Sequence, residues 1–391
     1  MTEENAHAPG ADYPEIRQEV AKLCARYPGE YWRKLDSARA YPTDFVRDLS
    51  DSGYLALLIP EQYGGSGLPL TAACAVLEEI HRAGCNGGAC HAQMYTMGTL
   101  LRHGSEEQKA KLLPAIASGE IRLQAFGVTE PTSGTDTTRI RTRAVRDGDH
   151  YVVNGSKIWI SRSEHSDFMV LLVRTTPREE CARRTDGMSV LLVDMREAVG
   201  NGLSIKPIRT MMNHATTELF FDNLKVPVAN LIGEEGRGFR YIMDGMNPER
   251  ILIAAECIGD ARFFIDKASR YAIEREVFGR PIGQNQGIQF PIARAYVQTE
   301  AAAAIVREAA SLYDAGLPCG SRANMAKMLA AEASWAAGDT CIQTHGGYGF
   351  AEEYDIERKF RETRLYQVAP ISTNLILSHI ATHELGMPKS F

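Results

Sequence analysis

The spacing of apolar residues changes twice along this chain of 391 residues, and this change restricts the fold more than any other feature. From about residue 13 to 120, apolar positions recur every three or four residues, which is typical of helices. Around residue 122 the apolar runs become short, β-branched and aromatic, as in HYVVNGSKIWIS and DFMVLLVRT. After GEEGRGF at 233–239 the helical spacing returns and continues to the C-terminus. This order predicts an α+β chain with several domains.

Length and local signals refine this prediction. A chain of 391 residues is too long for one hydrophobic core of ordinary size. We therefore expect an N-terminal all-α domain over 1–122, a middle β-barrel or β-sandwich domain over 123–235 and a C-terminal helical bundle over 236–391. Ser105, followed three residues later by Gln108, predicts a capping box at a helix start.

Composition and charge exclude several classes of protein. The net charge of −6 offers no basic surface for nucleic acid. The eight cysteines are scattered without a CxxC pair or metal-ligand spacing, which favours reduced thiols and no metal site. The N-terminal MTEENAHAPGADYPE lacks the blocks of a signal peptide, and the longest apolar runs are of strand length. We expect a cytoplasmic protein with no membrane insertion.

Three ordered motifs carry the main functional signal: AFGVTEPTSGTDTTRIRT at 125–142, NGSKIWIS at 154–161 and QTHGGYGF at 343–350. Each motif alone is also compatible with a turn, a core tryptophan or a helix end. Together with YGGSG at 63–67, LFFDNLKVP at 219–227 and REVFGRPIGQNQ at 275–286, they resemble the acyl-CoA dehydrogenase flavoprotein family from about residue 13 onward. The resemblance implies that family's fold, which ends in a C-terminal four-helix bundle, and FAD bound between the β domain and the C-terminal helices.

The resemblance also implies which residues bind the cofactor. Uncharged donors suit the flavin edge because they stabilise its reduced anion without a mobile charge. Arginine pairs well with a pyrophosphate, and glycine permits close backbone approach. The implied cofactor-binding residues are Phe126, Val128, Thr129, Thr135, Trp159, Ser161, Arg275, Phe278, Gln286, Gln343, Gly346, Gly347, Ser372 and Asn374. Arg275, Gln286 and 343–347 match positions that reach the FAD of a neighbouring subunit, so a homotetramer, or dimer of dimers, is implied.

The catalytic base is the point at which the sequence departs from the common family pattern. Most members carry a glutamate after a Tyr-Gln motif near the C-terminus; here that motif is Tyr366–Gln367 and the matching residue is Pro370. Proline cannot act as a base, and it lacks the N–H that stabilises the enolate in the family. Isovaleryl-CoA and long-chain members place the glutamate on a helix instead, and Glu249 in MNPERILIAA matches that position.

The surroundings of Glu249 lead to further expectations. Asn247 followed by Pro248 predicts a helix N-cap and first turn, so the helix N-terminus should lower the pKa of Glu249. Burial against an acyl chain should raise that pKa, and we expect burial to dominate once substrate excludes water. The implied substrate-binding residues are Thr135, Asn247, Arg250, Pro370 and Ile371, with the Ile371 amide as one candidate for the missing donor.

The implied reaction is α,β-dehydrogenation of an acyl-CoA thioester to the trans-2-enoyl-CoA, with electrons passed to an electron-transferring flavoprotein. Bulky and partly polar residues at 87–100 favour a short, branched or polar acyl group, although packing alone also explains them. Two alternatives remain. One is a flavoenzyme of the same fold with oxidase or redox-neutral elimination chemistry, which Pro370 favours, and the other is a non-catalytic CoA-ester or flavin-binding protein.

Overall fold

The structure, a computed structural model, describes residues 12–389. Most of the polar N-terminal segment and the last two residues lie outside the described residues. Within them, no helix has the length and apolar character needed to cross a bilayer.

The described chain follows the predicted order of helices, sheet and helices, and thus confirms the α+β fold class. The helices are α1 (Pro14–Ala25), α2 (Gly29–Ala38), α3 (Thr43–Asp51), α4 (Leu70–Arg82), α5 (Gly88–His103), α6 (Glu106–Ala117), α7 (Met195–Ala198), α8 (Gly238–Glu274), α9 (Gln286–Asp314), α10 (Gly320–His345), α11 (Ile356–Thr363) and α12 (Thr373–His379). The strands are β1 (Ala125–Gly127), β2 (Arg143–Asp147), β3 (His150–Ser161), β4 (Phe168–Arg174), β5 (Met188–Asp194), β6 (Leu203–Pro207), β7 (Thr216–Pro227), β8 (Leu231–Ile232), β9 (Glu276–Val277) and β10 (Arg280–Pro281).

The chain divides by its internal contacts into two units. The first comprises 1–38, 69–87 and 247–391, and the second comprises 39–68 and 88–246. We refer to them as the helical unit and the β unit. The three-domain boundaries after residues 122 and 235 remain a prediction.

The β unit is built on an eight-stranded sheet with the order β6-β7-β3-β2-β4-β5-β8, in which β1 pairs in parallel with β4. All seven residues of β4 are buried, because both of its faces are covered. Phe168, Val170 and Leu172 join a core with residues of α5 and α6. The alternate residues Met169 and Leu171 join a second core with residues of β3, β6 and β7. The sheet therefore has one core on each side, which gives the middle segment its layered form.

The predicted capping box is present in the β unit. The Ser105 side chain accepts a hydrogen bond from the backbone of Gln108, and the Gln108 side chain accepts one from the backbone of Ser105. Both bonds satisfy N–H groups at the start of α6 that have no partner within the helix.

The helical unit contains the long helices α9 and α10 and most of α8. Small buried residues such as Ala302 and Ala309 on α9, and Ala323 and Ala330 on α10, suit close helix packing, and alanine also has the highest helix propensity. A buried ionic cluster joins α4, α8 and α11: Nζ of Lys359 lies 2.5 Å from Oδ1 of Asp260, and the same oxygen lies 2.9 Å from Nδ1 of His81.

Candidate functional site

Glu249 lies in the interior of α8, and not at a helix start as the sequence predicted. The helix begins at Gly238, so Asn247 is not an N-cap and Pro248 is an internal proline. Pro248 has no N–H to donate to the carbonyl of Asp244, and the helix continues past this one missing bond. The expected pKa-lowering effect of a helix N-terminus on Glu249 is therefore wrong, because that effect is confined to the first turn.

Burial dominates the electrostatics of Glu249. The residue is only 6% exposed, and its Oε2 atom has no hydrogen-bond partner among the described residues. Burial raises the pKa of Glu249 to about 8, while the charge of the neighbouring Arg250 opposes this rise. An unpaired buried carboxyl costs free energy, and clusters of such perturbed groups are typical of functional sites.

Arg250 is buried as well, which rules out a solvated surface arginine. Its Nη1 donates a hydrogen bond to Oδ1 of Asn324 on α10. Asn247 is half-buried one turn earlier on α8. The structure thus places Glu249 and Arg250 in the interior of the helical unit, with Arg250 fixed to α10.

The segment from Tyr366 to Ser372 is attached to α10 at two points. Nε2 of Gln367 donates to the carbonyl of Ala331 at 2.7 Å, and Nζ of Lys327 donates to the carbonyl of Ile371 at 2.7 Å. Pro370 lies between these two attachments and follows a cis peptide bond from Ala369. Ser372 then acts as the N-cap of α12, with its side chain accepting from the backbone of Leu375, and Asn374 is exposed in the first turn.

The other cofactor residues predicted in the helical unit are all exposed. Arg275 directly follows α8, and its guanidinium lies 5.9 Å from the ring centre of Tyr348. This contact brings Arg275 close to the glycine segment that follows α10, where Gly346 has a φ of +57°. The other exposed residues of the helical unit that were predicted to bind the cofactor are Phe278, Gln286, Gln343 and Gly347.

The cofactor residues predicted in the β unit fall on two adjacent stretches. Phe126, Val128 and Thr129 lie on or just after β1 and are half-buried. The backbone N–H of Ile158 on β3 donates to the carbonyl of Thr129 at 2.9 Å, which ties the two stretches together. Thr135 is exposed in the following turn and is not joined to them by any described hydrogen bond.

Trp159 has an unusual backbone for its residue type. Its φ is +62°, its side chain is 58% exposed, and it sits where the register of β3 against β7 shifts between Ile158 and Ile160. A bulge of this kind re-aims a side chain, and strained non-glycine backbone is common at functional sites. An exposed indole held in this conformation, with the half-buried Ser161 two residues later, fits a planar cofactor ring.

Sequence reasoning missed a buried ion pair that supports these two stretches. Lys157 on β3 has no exposed surface, and its Nζ lies 3.0 Å from the carbonyl of Val128 and 2.9 Å from Oε1 of Glu130. Glu130 also accepts from the backbone of Thr142 at 2.9 Å. A lysine inside the apolar strand HYVVNGSKIWIS was the available signal, because a charged residue at an inward strand position requires a partner.

Comparisons with known proteins agree with the fold. Three family models match: the acyl-CoA dehydrogenase N-terminal domain at residues 11–120, the middle domain at 125–224 and the C-terminal domain at 236–384. An acyl-CoA dehydrogenase of Bacillus subtilis is 36% identical over 337 residues, which cover 85% of this chain and 87% of that protein.

Two solved structures show how the fold is used elsewhere. A glutaryl-coenzyme A dehydrogenase in complex with glutaryl-CoA superposes with a TM-score of 0.89 at 31% identity, covering 100% of this chain and 97% of that one. The prolyl acyl carrier protein oxidase AnaB superposes with a TM-score of 0.88 at 25% identity, covering 95% and 98%. The chain belongs to the acyl-CoA dehydrogenase family of oxidoreductases, whose cofactor is FAD.

Proposed function

We propose that this protein dehydrogenates an acyl-CoA thioester between its α- and β-carbons, with Glu249 as the general base. The observation that carries the proposal is the buried carboxyl of Glu249, whose Oε2 has no hydrogen-bond partner within residues 12–389. A base for a weakly acidic α-proton needs a pKa near the working pH, and burial raises the pKa of Glu249 to about 8.

The steps assigned to the chain are proton transfer and orientation. Glu249 in its ionised form accepts the α-proton of the substrate. When bound, FAD supplies a two-electron acceptor for the hydride that leaves the β-carbon. Arg250, fixed by Asn324, adds positive charge next to Glu249 and favours its ionised form. Asn247, Ile371 and Thr135 are the further substrate contacts that we propose.

The residues that would hold FAD are those implied by the sequence. In the β unit they are the stretch from Phe126 to Thr129, together with Thr135, Trp159 and Ser161, and the strained and exposed Trp159 supports this assignment. In the helical unit they are Arg275, Phe278, Gln286, Gln343, Gly346, Gly347, Ser372 and Asn374. All of these except Ser372 and Asn374 belong to the stretches 275–286 and 343–347, and their exposure is expected of residues that bind the FAD of a neighbouring subunit.

A homotetramer is part of the proposal. Large apolar side chains of the helical unit are exposed near these residues: Phe278 is 102% exposed, Phe350 76% and Ile273 71%. Exposed apolar side chains in such number are typical of interaction surfaces. Light scattering of the purified protein tests this part, and dilution to monomers should release FAD if a neighbouring chain completes the cofactor site.

An electron-transferring flavoprotein is the acceptor that we propose, and a short or branched acyl group is the substrate class. The acyl-CoA named for the glutaryl-coenzyme A dehydrogenase supports a CoA thioester here but does not select a chain length. The cytoplasmic location also remains a prediction.

An oxidase is the second candidate, and Pro370 favours it. Proline at this position removes the backbone donor used for ordinary dehydrogenation in the family. The oxidase AnaB shows that the same fold supports a reaction with oxygen. Redox-neutral elimination and a non-catalytic role are further outcomes of the same test.

The test is an anaerobic titration of the FAD-loaded protein with short, branched and long acyl-CoAs, following the visible flavin absorption. We expect one acyl class to bleach the wild type, and Glu249→Gln to bleach at least about a hundredfold more slowly, because a general base contributes about 10²–10⁴-fold. Glu256→Gln is the matched control, since Glu256 is also buried on α8, and it should bleach at close to the wild-type rate.

The other outcomes discriminate the alternatives. Equal bleaching by Glu249→Gln and wild type would remove Glu249 from the mechanism. Oxygen consumption with acyl-CoA and no added acceptor would select the oxidase. Binding of acyl-CoA without bleaching would select elimination or the non-catalytic role.

A further inference from the structure

Lys327 is a buried ammonium group that the proposed reaction does not use. Its side chain has no exposed surface, and its Nζ donates to one backbone carbonyl, that of Ile371, at 2.7 Å. Burial lowers the pKa of Lys327 to about 8, and the charge of Arg250 also lowers it, while Cys257 acts in the opposite direction. A single neutral acceptor offsets only part of the cost of burying a charge. Stability alone is therefore a poor reason for a lysine at this position.

Lys327 lies on the face of α10 that contacts α8, the helix that carries the proposed base Glu249. Asn324 precedes it by three residues, so the two side chains are neighbours on the helix surface, about 5–6 Å apart at Cβ. Asn324 accepts from Arg250, which directly follows Glu249. One face of α10 thus fixes both the residue beside the proposed base and the segment that contains Pro370.

The bond from Lys327 determines which way the Ile371–Ser372 peptide points. This peptide is trans, and in a trans peptide the C=O and N–H point in opposite directions. With the Ile371 carbonyl held against α10, the N–H of Ser372 is directed away from α10. Among the described residues, the N–H groups of Ile371 and Ser372 have no hydrogen-bond acceptor. The segment therefore has two N–H donors without an acceptor, those of Ile371 and Ser372, directly after Pro370, which has no N–H.

We propose that Lys327 is a positioning residue, which fixes this segment so that the N–H groups after Pro370 stabilise the negative charge that develops on the thioester carbonyl. The inference rests on the proposed dehydrogenation and deepens it. Lys327 itself does not contact the substrate in this scheme. It sets the direction of the donors, and misplacement of a catalytic group by about 1 Å can lower a rate about 100-fold.

The experiment compares the FAD-loaded wild type with Lys327→Met, which keeps the length of the side chain and removes the donor. In anaerobic stopped-flow, with the acyl-CoA that bleaches the wild type, we expect flavin reduction to slow by about 10- to 100-fold. The dissociation constant for that acyl-CoA should change less than about threefold, because the donors act mainly as charge develops. Denaturant unfolding should show no loss of stability, since the variant removes a buried charge.

A second measurement reports only how strongly the enzyme stabilises the negative charge on the thioester. A 3-thia analogue of the same acyl-CoA can lose its α-proton but has no β-hydrogen to transfer. We expect the pH midpoint of its ionisation on the enzyme to rise by about one unit in Lys327→Met, which corresponds to a tenfold weaker stabilisation. A residue that only supports the fold would leave this midpoint unchanged.

Gln367→Met is the matched control, because Gln367 attaches the same segment to the same helix but before Pro370. The flavin of Gln367→Met should be reduced by acyl-CoA at close to the wild-type rate. If Lys327→Met fails to fold, Lys327→Gln, which keeps a neutral donor, replaces it and should show a smaller loss. Unchanged reduction and an unchanged midpoint would overturn the inference while leaving the proposed function intact, whereas a wild type that no acyl-CoA bleaches would overturn both.

Discussion

Nζ of Lys157 lies 2.9 Å from Oε1 of Glu130, and neither side chain is more than 5% exposed. The pair joins β3 to the turn after β1, since the same ammonium also binds the carbonyl of Val128. Burial lowers the pKa of Lys157 to about 8, and the Glu130 charge opposes that shift. A buried pair of this kind adds little net stability, but loss of one partner leaves an uncompensated charge.

We expect Lys157→Met to lower the free energy of unfolding by about 3–5 kcal/mol, because Glu130 would remain buried without its cation. The double variant Lys157→Met with Glu130→Gln should recover part of this loss. Urea unfolding followed by circular dichroism measures both. Arg47→Met is the control, because the Arg47–Asp44 pair is about 60% exposed and should contribute less than about 1 kcal/mol. A similar loss in both single variants would contradict the prediction.

The capping box at α6 gives a second stability prediction. Ser105→Ala removes one of its two hydrogen bonds and should cost about 1 kcal/mol. Gln108→Ala should cost more, because Nε2 of Gln108 also donates to the carbonyls of Ala229 and Leu231 at 2.8 and 2.9 Å. The midpoints of thermal unfolding give the order of the two variants. The reverse order would show that the cap outweighs the contacts of Gln108.

Sequence patterns predicted the features that depend on local chemistry. The change of apolar period gave the α+β order, and the Ser105–Gln108 spacing gave the start of α6. The start of α8 was missed, because Asn247–Pro248 is a good local signal for a helix start. A helix already running from Gly238 tolerates Pro248 at the loss of one hydrogen bond.

The remaining features depend on tertiary packing. Lys157 stands in an apolar strand, which signals a buried charge but does not identify its partner, whereas Lys327 has an ordinary sequence context and only the fold removes it from water. The unpaired state of Glu249 Oε2 likewise follows from which side chains surround it. Resemblance pointed to Glu249 and predicted that burial against an acyl chain would raise its pKa, but burial of Glu249 by the protein itself has no sequence signature.

Close packing of α8 against α4 gives a third stability prediction. A Cβ atom at Gly259 would lie 2.3 Å from the carbonyl oxygen of Glu78, which is backbone and cannot easily move. Gly259→Ala should therefore destabilise the protein by about 1–3 kcal/mol, although alanine favours a helix by about 1 kcal/mol. Gly287→Ala on α9 is the control, because no atom lies within 4 Å of its Cβ position, and it should be neutral or slightly stabilising. A neutral Gly259→Ala would mean that the two helices can separate without cost.

The pKa of Glu249 predicts the pH dependence of the proposed reaction. The base must be ionised to accept a proton, so kcat/KM for a bleaching acyl-CoA should rise with pH and level off above about 8. Flavin reduction at low substrate concentration, measured from pH 6 to 9, provides the profile. A rate that does not change across this range would show that Glu249 is already ionised in the free enzyme.

The same pKa makes a prediction about stability that does not depend on catalysis. The folded-state pKa of Glu249, about 8, lies above the value of about 4.3 for an unfolded glutamate. Between these values the folded protein keeps a proton that the unfolded chain has released, so the free energy of unfolding falls as pH rises through this window. Glu249→Gln has no such proton. Its stability relative to wild type should therefore increase from pH 5 to pH 8, as measured by urea unfolding of both FAD-loaded proteins. A difference that stays constant with pH would mean that Glu249 is ionised in the folded state, and burial would then not control its charge.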